Sequence, residues 1–322
     1  MLAVITLVMV SFIVFSLMEL VPGDCAERYL AFKNTQGSGI SVADIEVERV
    51  RLGLDKPYIT RWARWIVGAF GGNFGDSCIL RVNIAQLLGD KFWLSLWICL
   101  SSLLLAYFIA IPVGIIAATS KNALLNNSLR FVSYLGLAMP NFLLALMIML
   151  FSTVVFGDTL TGLFSKEFRD AAWSYDRVID FLSRAWLPVF ILGWSATAFA
   201  IQTVRALMSD EVGKLYVTAA SARGVTGRAL LWRYPARHAL GPIVNSLGFD
   251  LNRIFNELPI VALILTLTEA GSLLIDALAR SNDQQLAGAI IFMLTASIVG
   301  INFITDIILA ITDPRIRRSI MS

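Results

Sequence analysis

The chain has 322 residues, of which 57% are hydrophobic and only 15% charged, where soluble domains carry roughly a quarter charged residues. Its mean hydropathy of +0.73 argues against an ordinary water-soluble globule and points to bulk lipid as the solvent. The net charge of +3 does not mark a nucleic-acid binder, because the basic residues fall beside apolar segments instead of forming one patch.

Residues 2–20 are apolar enough to span a bilayer, which takes about 20 consecutive apolar residues because hydrocarbon offers no partner to a backbone N–H or C=O. No positive residues precede this stretch, which leaves room for further residues upstream. It runs into Glu19-Leu20-Val21-Pro22-Gly23-Asp24 and not into a small-residue cleavage site, so a retained helix is expected in place of a cleaved signal. For the same reason Cys25 reads as an ordinary cysteine and not as a lipidation site. Residues 21–91 mix charge, glycine and aromatics, including Trp62, Trp65 and Gly71-Gly72-Asn73-Phe74-Gly75, and predict a folded extramembrane region. Five further spans are expected at about 92–119, 129–156, 186–207, 243–267 and 288–312. The fold class is therefore an all-α integral membrane protein of about six transmembrane helices, with residues 92–322 as the five-helix core. Pro112, Pro140, Pro188 and Pro259 lie within or at the ends of these spans and read equally as kinks around a pathway or as plain packing kinks.

Lysine and arginine in short loops set orientation. Segment 205–238 carries Arg205, Lys214, Arg223, Arg228, Arg233 and Arg237 against Asp210 and Glu211, which predicts a cytoplasmic loop at 208–242 between helices four and five. The tail residues Arg315, Arg317 and Arg318 share that bias, so both termini are expected in the cytoplasm and residues 21–91 outside. Cys25 and Cys78 then share an oxidising compartment that permits a disulfide, though sequence cannot supply the short Cα separation a bridge needs. The three cysteines show no metal-ligand spacing, and the single histidine, His238, has no second ligand-type neighbour at helical spacing, so neither metal nor cofactor is expected.

No G-x-x-x-x-G-K-[ST] nucleotide loop appears, and no serine, cysteine or carboxylate set reads as catalytic, so the chain is not expected to be an enzyme. The cytoplasmic loop instead holds Tyr216-Val217-Thr218-Ala219-Ala220-Ser221-Ala222-Arg223-Gly224. Small residues at Ala219, Ala220 and Ala222 leave a helix surface bare enough for close packing, and Gly224 can end that helix in a left-handed turn. On physical grounds alone an ordinary basic surface loop remains the simpler reading. The spacing of Thr218-Ala219-Ala220, Gly224 and Pro242 nevertheless resembles the E-A-A-x-x-x-G motif of binding-protein-dependent ABC importer permeases, with threonine in place of glutamate. Segment 216–242 is similar to the dipeptide, oligopeptide and nickel branch, whose Y-V-x-T-A-x-A-[KR]-G run has its threonine one position later. Val21-Pro22-Gly23-Asp24, Leu52-Gly53-Leu54-Asp55-Lys56-Pro57, Gly75-Asp76-Ser77, Ile111-Pro112-Val113-Gly114, Met139-Pro140-Asn141-Phe142, Asn302 with Asp306, and Asp313-Pro314-Arg315-Ile316-Arg317 resemble that branch in order and spacing.

The resemblance implies a permease subunit in the bacterial inner membrane that moves peptides or a similar small polar solute inward by alternating access. Its implied partners are a second homologous permease, two ATP-binding subunits and an extracytoplasmic solute-binding protein, with Tyr216, Thr218, Ala219, Ala220, Ala222, Arg223 and Gly224 as the element coupled to an ATPase. The chain departs from the branch where Ala262 and Leu267-Thr268-Glu269-Ala270-Gly271 replace a glutamate and a tryptophan-proline-glycine-leucine-glycine turn, which weakens any transfer of substrate. In the fifth span Asp250, Arg253 and Glu257 are spaced three and four apart on one helix face. Charges inside a membrane cost about 2.5–3.5 kcal/mol each on insertion scales, so such residues usually face a cavity or a partner. They are expected to line the substrate pathway with Asn256 and Asn252, the net negative face mildly favouring a polar or cationic solute; a self-neutralising packing ladder is the competing reading. An ion-gradient-driven secondary transporter is the alternative function, since membrane carboxylates can relay protons.

Overall fold

The computed structural model describes residues 2–20, 22–35, 42–157, 160–169, 171–267, 269–281 and 283–312. The basic tail motif and Val21 lie outside the described residues. Within them the regular elements are helical, with a single isolated bridge between Asp76 and Asn83. The chain divides into two compact units, Met1–Ser95 with Thr268–Gly300, and Leu96–Leu267 with Ile301–Ser322.

The first unit contains α1 (Leu2–Leu20), α2 (Cys25–Thr35), α3 (Val42–Leu52), α4 (Tyr58–Phe70), the start of α5 (Ile84–Thr119), α12 (Ala270–Ile275), a π-helical turn (Asp276–Arg280) and most of α13 (Gln284–Thr312). Cys25 and Cys78 are joined by a disulfide with Cα atoms 5.3 Å apart, the short separation that sequence could not supply. Arg49 pins α3 to the start of α2 through Asp24 and Glu27. Asp283 accepts from Leu286 N–H at 3.0 Å, Ile79 N–H at 3.3 Å and the Ser77 hydroxyl, so one buried carboxylate starts α13 and holds the disulfide loop. Glu269, at the position where the chain departs from the peptide branch, caps α12. It accepts from Gly271 N–H at 2.6 Å, Ser272 N–H at 3.0 Å and the Ser95 hydroxyl, and is fully buried. A carboxylate satisfied by three donors at a helix N-terminus is stable where a free one is not.

The second unit contains the remainder of α5 with α6 (Ala123–Ala138), α7 (Asn141–Phe156), α8 (Tyr175–Val212), α9 (Leu215–Ala222), α10 (Gly227–Arg233), α11 (Pro235–Ile264) and the end of α13. Its core is built on α8, which packs by small residues. A Cβ added to Gly114 of α5 would lie 2.7 Å from Val204 Cβ, and one added to Gly136 of α6 would lie 2.7 Å from Ala198 Cβ. Without a hydrophobic force between helices in lipid, this close approach is how they gain dispersion energy.

Among the described residues, four helices can cross a membrane by length and composition: α1, α5, α8 and α13. The span expected at 129–156 is instead two helices, α6 and α7, bent by 95°. Pro140 supplies no N–H and pushes the residue before it out of the helical region, and Met139 sits at φ −96°, ψ 114°. Counted as one span, the pair brings the number to five. The remaining expected span, at 243–267, falls on the 30-residue α11, whose Asp250, Arg253 and Glu257 keep it apart from the plainly apolar helices. Helix α8 begins at Tyr175 and not near 186, because Ser174 caps a polar first turn that a search for apolar runs passes over.

Candidate functional site

Helix α9 is short and lies two residues beyond the end of α8. Val217 and Ala220 are buried, whereas Leu215, Thr218, Ala219, Ser221, Ala222 and Arg223 are exposed. Leu215 is 87% exposed, an apolar side chain of this size left open to the surroundings. The helix ends as its sequence predicts. Gly224 adopts φ +87°, its N–H donates to Ser221 O at 2.9 Å, and Val225 N–H donates to Ala220 O at 3.2 Å. A side chain at Gly224 would meet no atom within 4 Å, so the requirement for glycine there is conformational and not one of space.

An anchor behind α9 fixes its direction. The Tyr216 hydroxyl donates to Glu211 at the end of α8, Lys214 pairs with the same carboxylate, and the Tyr216 ring packs on the His238 imidazole with centroids 5.0 Å apart. Burial first, then the hydrogen bond to Glu211, push the Tyr216 phenol above its ordinary value, which keeps it a neutral donor. The residues enclose an open hollow of about 680 Å³ bordered also by Arg223 and Tyr234. Helices α8, α9 and α11 thus meet at one polar knot, which holds α9 at its N-terminal end.

On α11 the polar residues separate by face. Asp250 is 1% exposed and accepts from the Tyr107 hydroxyl of α5, which also contacts Ser246 at 2.8 Å. Glu257 accepts from the Asn141 amide of α7 and faces Arg253 at 3.6 Å. The same Asn141 donates to Leu192 O at 3.2 Å and accepts from Ser195 N–H at 3.3 Å, so a single amide joins α7, α8 and α11. The Arg253 guanidinium stands over the Phe199 ring, 5.6 Å from its centroid. Asn252 and Asn256 are exposed, one turn apart with their amides 3.5 Å from each other. Asn245 and Phe249 are exposed on the same side, which gives α11 an outward stripe at 245, 249, 252 and 256.

The sequence profile described as "Binding-protein-dependent transport system inner membrane component" matches residues 110–318, about two thirds of the chain, which includes α7, α8, α9 and α11 whole. The chain belongs to that family. This permease is 26% identical over 313 residues to a putative peptide permease protein of Brucella suis biovar 1, covering 97% of this chain and 95% of that one. It is 27% identical over 306 residues to the oligopeptide transport system permease protein AppB of Bacillus subtilis, covering 94% and 92%, respectively. It is also 27% identical over 312 residues to the glutathione transport system permease protein GsiC of Escherichia coli O1:K1 / APEC, covering 97% and 95%. Among solved structures, a chain of the MetNI methionine ABC transporter in an inward-facing conformation superposes with a TM-score of 0.57 at 17% identity, over 71% of this chain and 97% of that one. At that identity the likeness carries the fold alone.

The permease is therefore a multi-pass inner-membrane subunit of an ABC importer, a class that works with ATP-binding partners and a solute-binding protein. An ion-gradient carrier is not favoured by these findings. Of the expected coupling residues, Thr218, Ala219, Ala222, Arg223 and Gly224 lie on the open side of α9, Ala220 faces inward, and Tyr216 forms the anchor. Of the expected pathway residues, Asp250 is buried, Arg253 and Glu257 are half-buried, and Asn256 is exposed with Asn252. Glu211, His238, Tyr107 and Asn141 were not singled out as site residues by reading the sequence. Asn141 had a signal in the Met139-Pro140-Asn141-Phe142 motif, whereas Tyr107 is one aromatic in an apolar run and had none.

Proposed function

We propose that this permease subunit moves peptides or a similar small polar solute inward, pairing with a second homologous permease above two ATP-binding subunits and receiving solute from an extracytoplasmic binding protein. The peptide class is supported by the names of the full-length relatives. Loop charge supports a cytoplasmic 208–242 and cytoplasmic termini. The observation that carries the coupling role is α9 itself: an eight-residue helix exposing Leu215, Thr218, Ala219 and Ala222 while Tyr216, Glu211 and His238 hold it rigidly to α8 and α11. A force applied to its open side by a closing ATPase pair passes to both long helices, and a two-state bundle can then be biased by nucleotide.

For the pathway, the exposed amide stripe of α11 fits better than its carboxylates. A polar residue facing lipid is costly, so Asn252 and Asn256 call for water, solute or a partner helix, and Arg253 lies at their edge. Asp250 and Glu257 are engaged with Tyr107 and Asn141 and tie α11 to α5 and α7. The solute-facing surface is then chiefly uncharged amide, suited to the backbone amides of a peptide.

A pull-down of the detergent-solubilised chain tests the coupling role. Wild type should retain an ATPase subunit identified by mass spectrometry, and Gly224→Asp should lose or weaken it. Absence of any ATPase from the wild-type preparation in mild detergent would remove the main support for this reading.

A further inference from the structure

Helix α4 belongs to the stretch that the sequence predicts to be extramembrane, yet its neighbours are parts of membrane helices. The Trp62 indole donates to Ser11 at 3.3 Å and its ring lies 5.4 Å from Phe12, while Tyr58 contacts Ser16 by its hydroxyl and packs on Phe12 and Phe15. Trp65 lies against Phe15 and, at 5.3 Å, against Phe292. At 1.5 Å per residue, Phe15 is about 7 Å and Ser11 about 13 Å along α1 from its end at Leu20. By the same rise Phe292 is about 12 Å inside α13 from its start at Gln284. Contacts to two spanning helices, α1 and α13, thus set α4 about 7–13 Å in from their ends by the same rise, alongside the hydrocarbon core of about 30 Å that such helices cross.

The faces of α4 match that depth. Trp65, Ile66 and Ala69 are buried. Ile59, Val67 and Phe70 are 58%, 73% and 61% exposed and fall with Ala63 on one stripe at helical spacing, beside the buried face. On the neighbouring α1, Met9, Ile13 and Leu17 are likewise 62%, 53% and 57% exposed. The opposite flank, Arg61, Arg64 and Gly68, borders an open polar cavity of about 630 Å³ with Glu19, Asp24 and Asp76. Arg61 pairs with Glu19 near the end of α1, where a charged head at the membrane surface reaches water.

We propose that α4 is a membrane-inserted amphipathic helix whose Ile59–Ala63–Val67–Phe70 stripe is covered by the acyl chains of the outer leaflet. Arg61 and Arg64 face the water-filled cavity at the headgroup level, so the membrane contact of this permease extends beyond its spanning helices. The leaflet named rests on the orientation proposed above, whereas insertion itself rests only on the depth of the contacts and the pattern of faces.

The test uses the assembled importer in lipid nanodiscs, with nitroxide labels placed singly at Val67→Cys, Phe70→Cys and Arg64→Cys in a Cys99→Ser background that keeps the native disulfide. Power-saturation resonance should give an oxygen-to-nickel-chelate accessibility ratio several-fold higher at positions 67 and 70 than at 64. Equal access of the nickel chelate to all three sites would overturn the proposal in favour of a helix standing in water. Low access of both reagents at 67 and 70 would overturn it as well, assigning the stripe to a protein partner. Because access is compared between sites, either failure leaves the orientation and transport readings standing.

Discussion

Asp250 and Glu257 lie two turns apart on α11, yet each is held by a neighbour far away in the chain, Tyr107 at a separation of 143 residues and Asn141 at 116. The three-and-four spacing with Arg253 was legible from sequence because it follows from helix geometry alone. Which residue was buried and which faced outward was not, because that depends on how α5 and α7 approach. The division makes opposite predictions for two residues on one helix. Tyr107→Phe leaves a fully buried carboxylate with one donor fewer and is expected to cost about 1–3 kcal/mol, read as a lower melting temperature of the purified complex. Asn256→Leu removes an exposed amide and should leave that temperature unchanged while lowering solute uptake in proteoliposomes. Unchanged uptake with Asn256→Leu would assign the stripe to packing against a partner helix.

Between elements, the decisive contacts are made by groups with little or no side chain. The Ile111-Pro112-Val113-Gly114 motif could be read as a resemblance, and the structure supplies its physical content: α5 and α8 approach so closely at Gly114 that an added Cβ would meet both Val204 Cβ at 2.7 Å and Ile201 O at 3.0 Å. Neither atom is the end of a flexible chain, so the helices must separate. Gly114→Val is expected to cost about 1–3 kcal/mol from overpacking and to lower the yield of folded subunit on size-exclusion chromatography, whereas the same change at Gly213, with nothing within 4 Å, should be tolerated. The bend at Met139-Pro140 belongs to this scale as well. Proline marked a kink from the sequence, but its 95° size and the hub made by Asn141 just after it depend on α8 lying where its Leu192 carbonyl and Ser195 N–H can receive that amide.

At the scale of the whole molecule, the disulfide and the polar knot at α9 belong to different compact units of the permease. Cys25 and Cys78 are 53 residues apart in sequence, and closing a loop of that size constrains the unfolded chain by about 4 kcal/mol in the chain-entropy account. Reduction of the purified complex should lower its melting temperature, a Cys25→Ser/Cys78→Ser variant should melt at the reduced value with or without reductant, and ATPase binding at α9 should be unchanged in both. A reductant-insensitive wild type would show that Arg49 and Asp283 hold that region without the bridge. The sequence by itself determined the solvent, the helical class and the end of the short helix before Gly224, because backbone groups in hydrocarbon must bond within a helix, apolar runs of sufficient length record that demand, and the Gly224 turn is local. Only the tertiary structure decided that α6 and α7 part at Pro140, that Glu269 is a buried cap, that α4 reaches the depth of Ser11 and Phe292, and that the carboxylates of α11 turn inward while its asparagines turn outward. Each of these depends on a partner brought from elsewhere in the chain, and burial, unlike periodicity, is a property of what arrives on the other side.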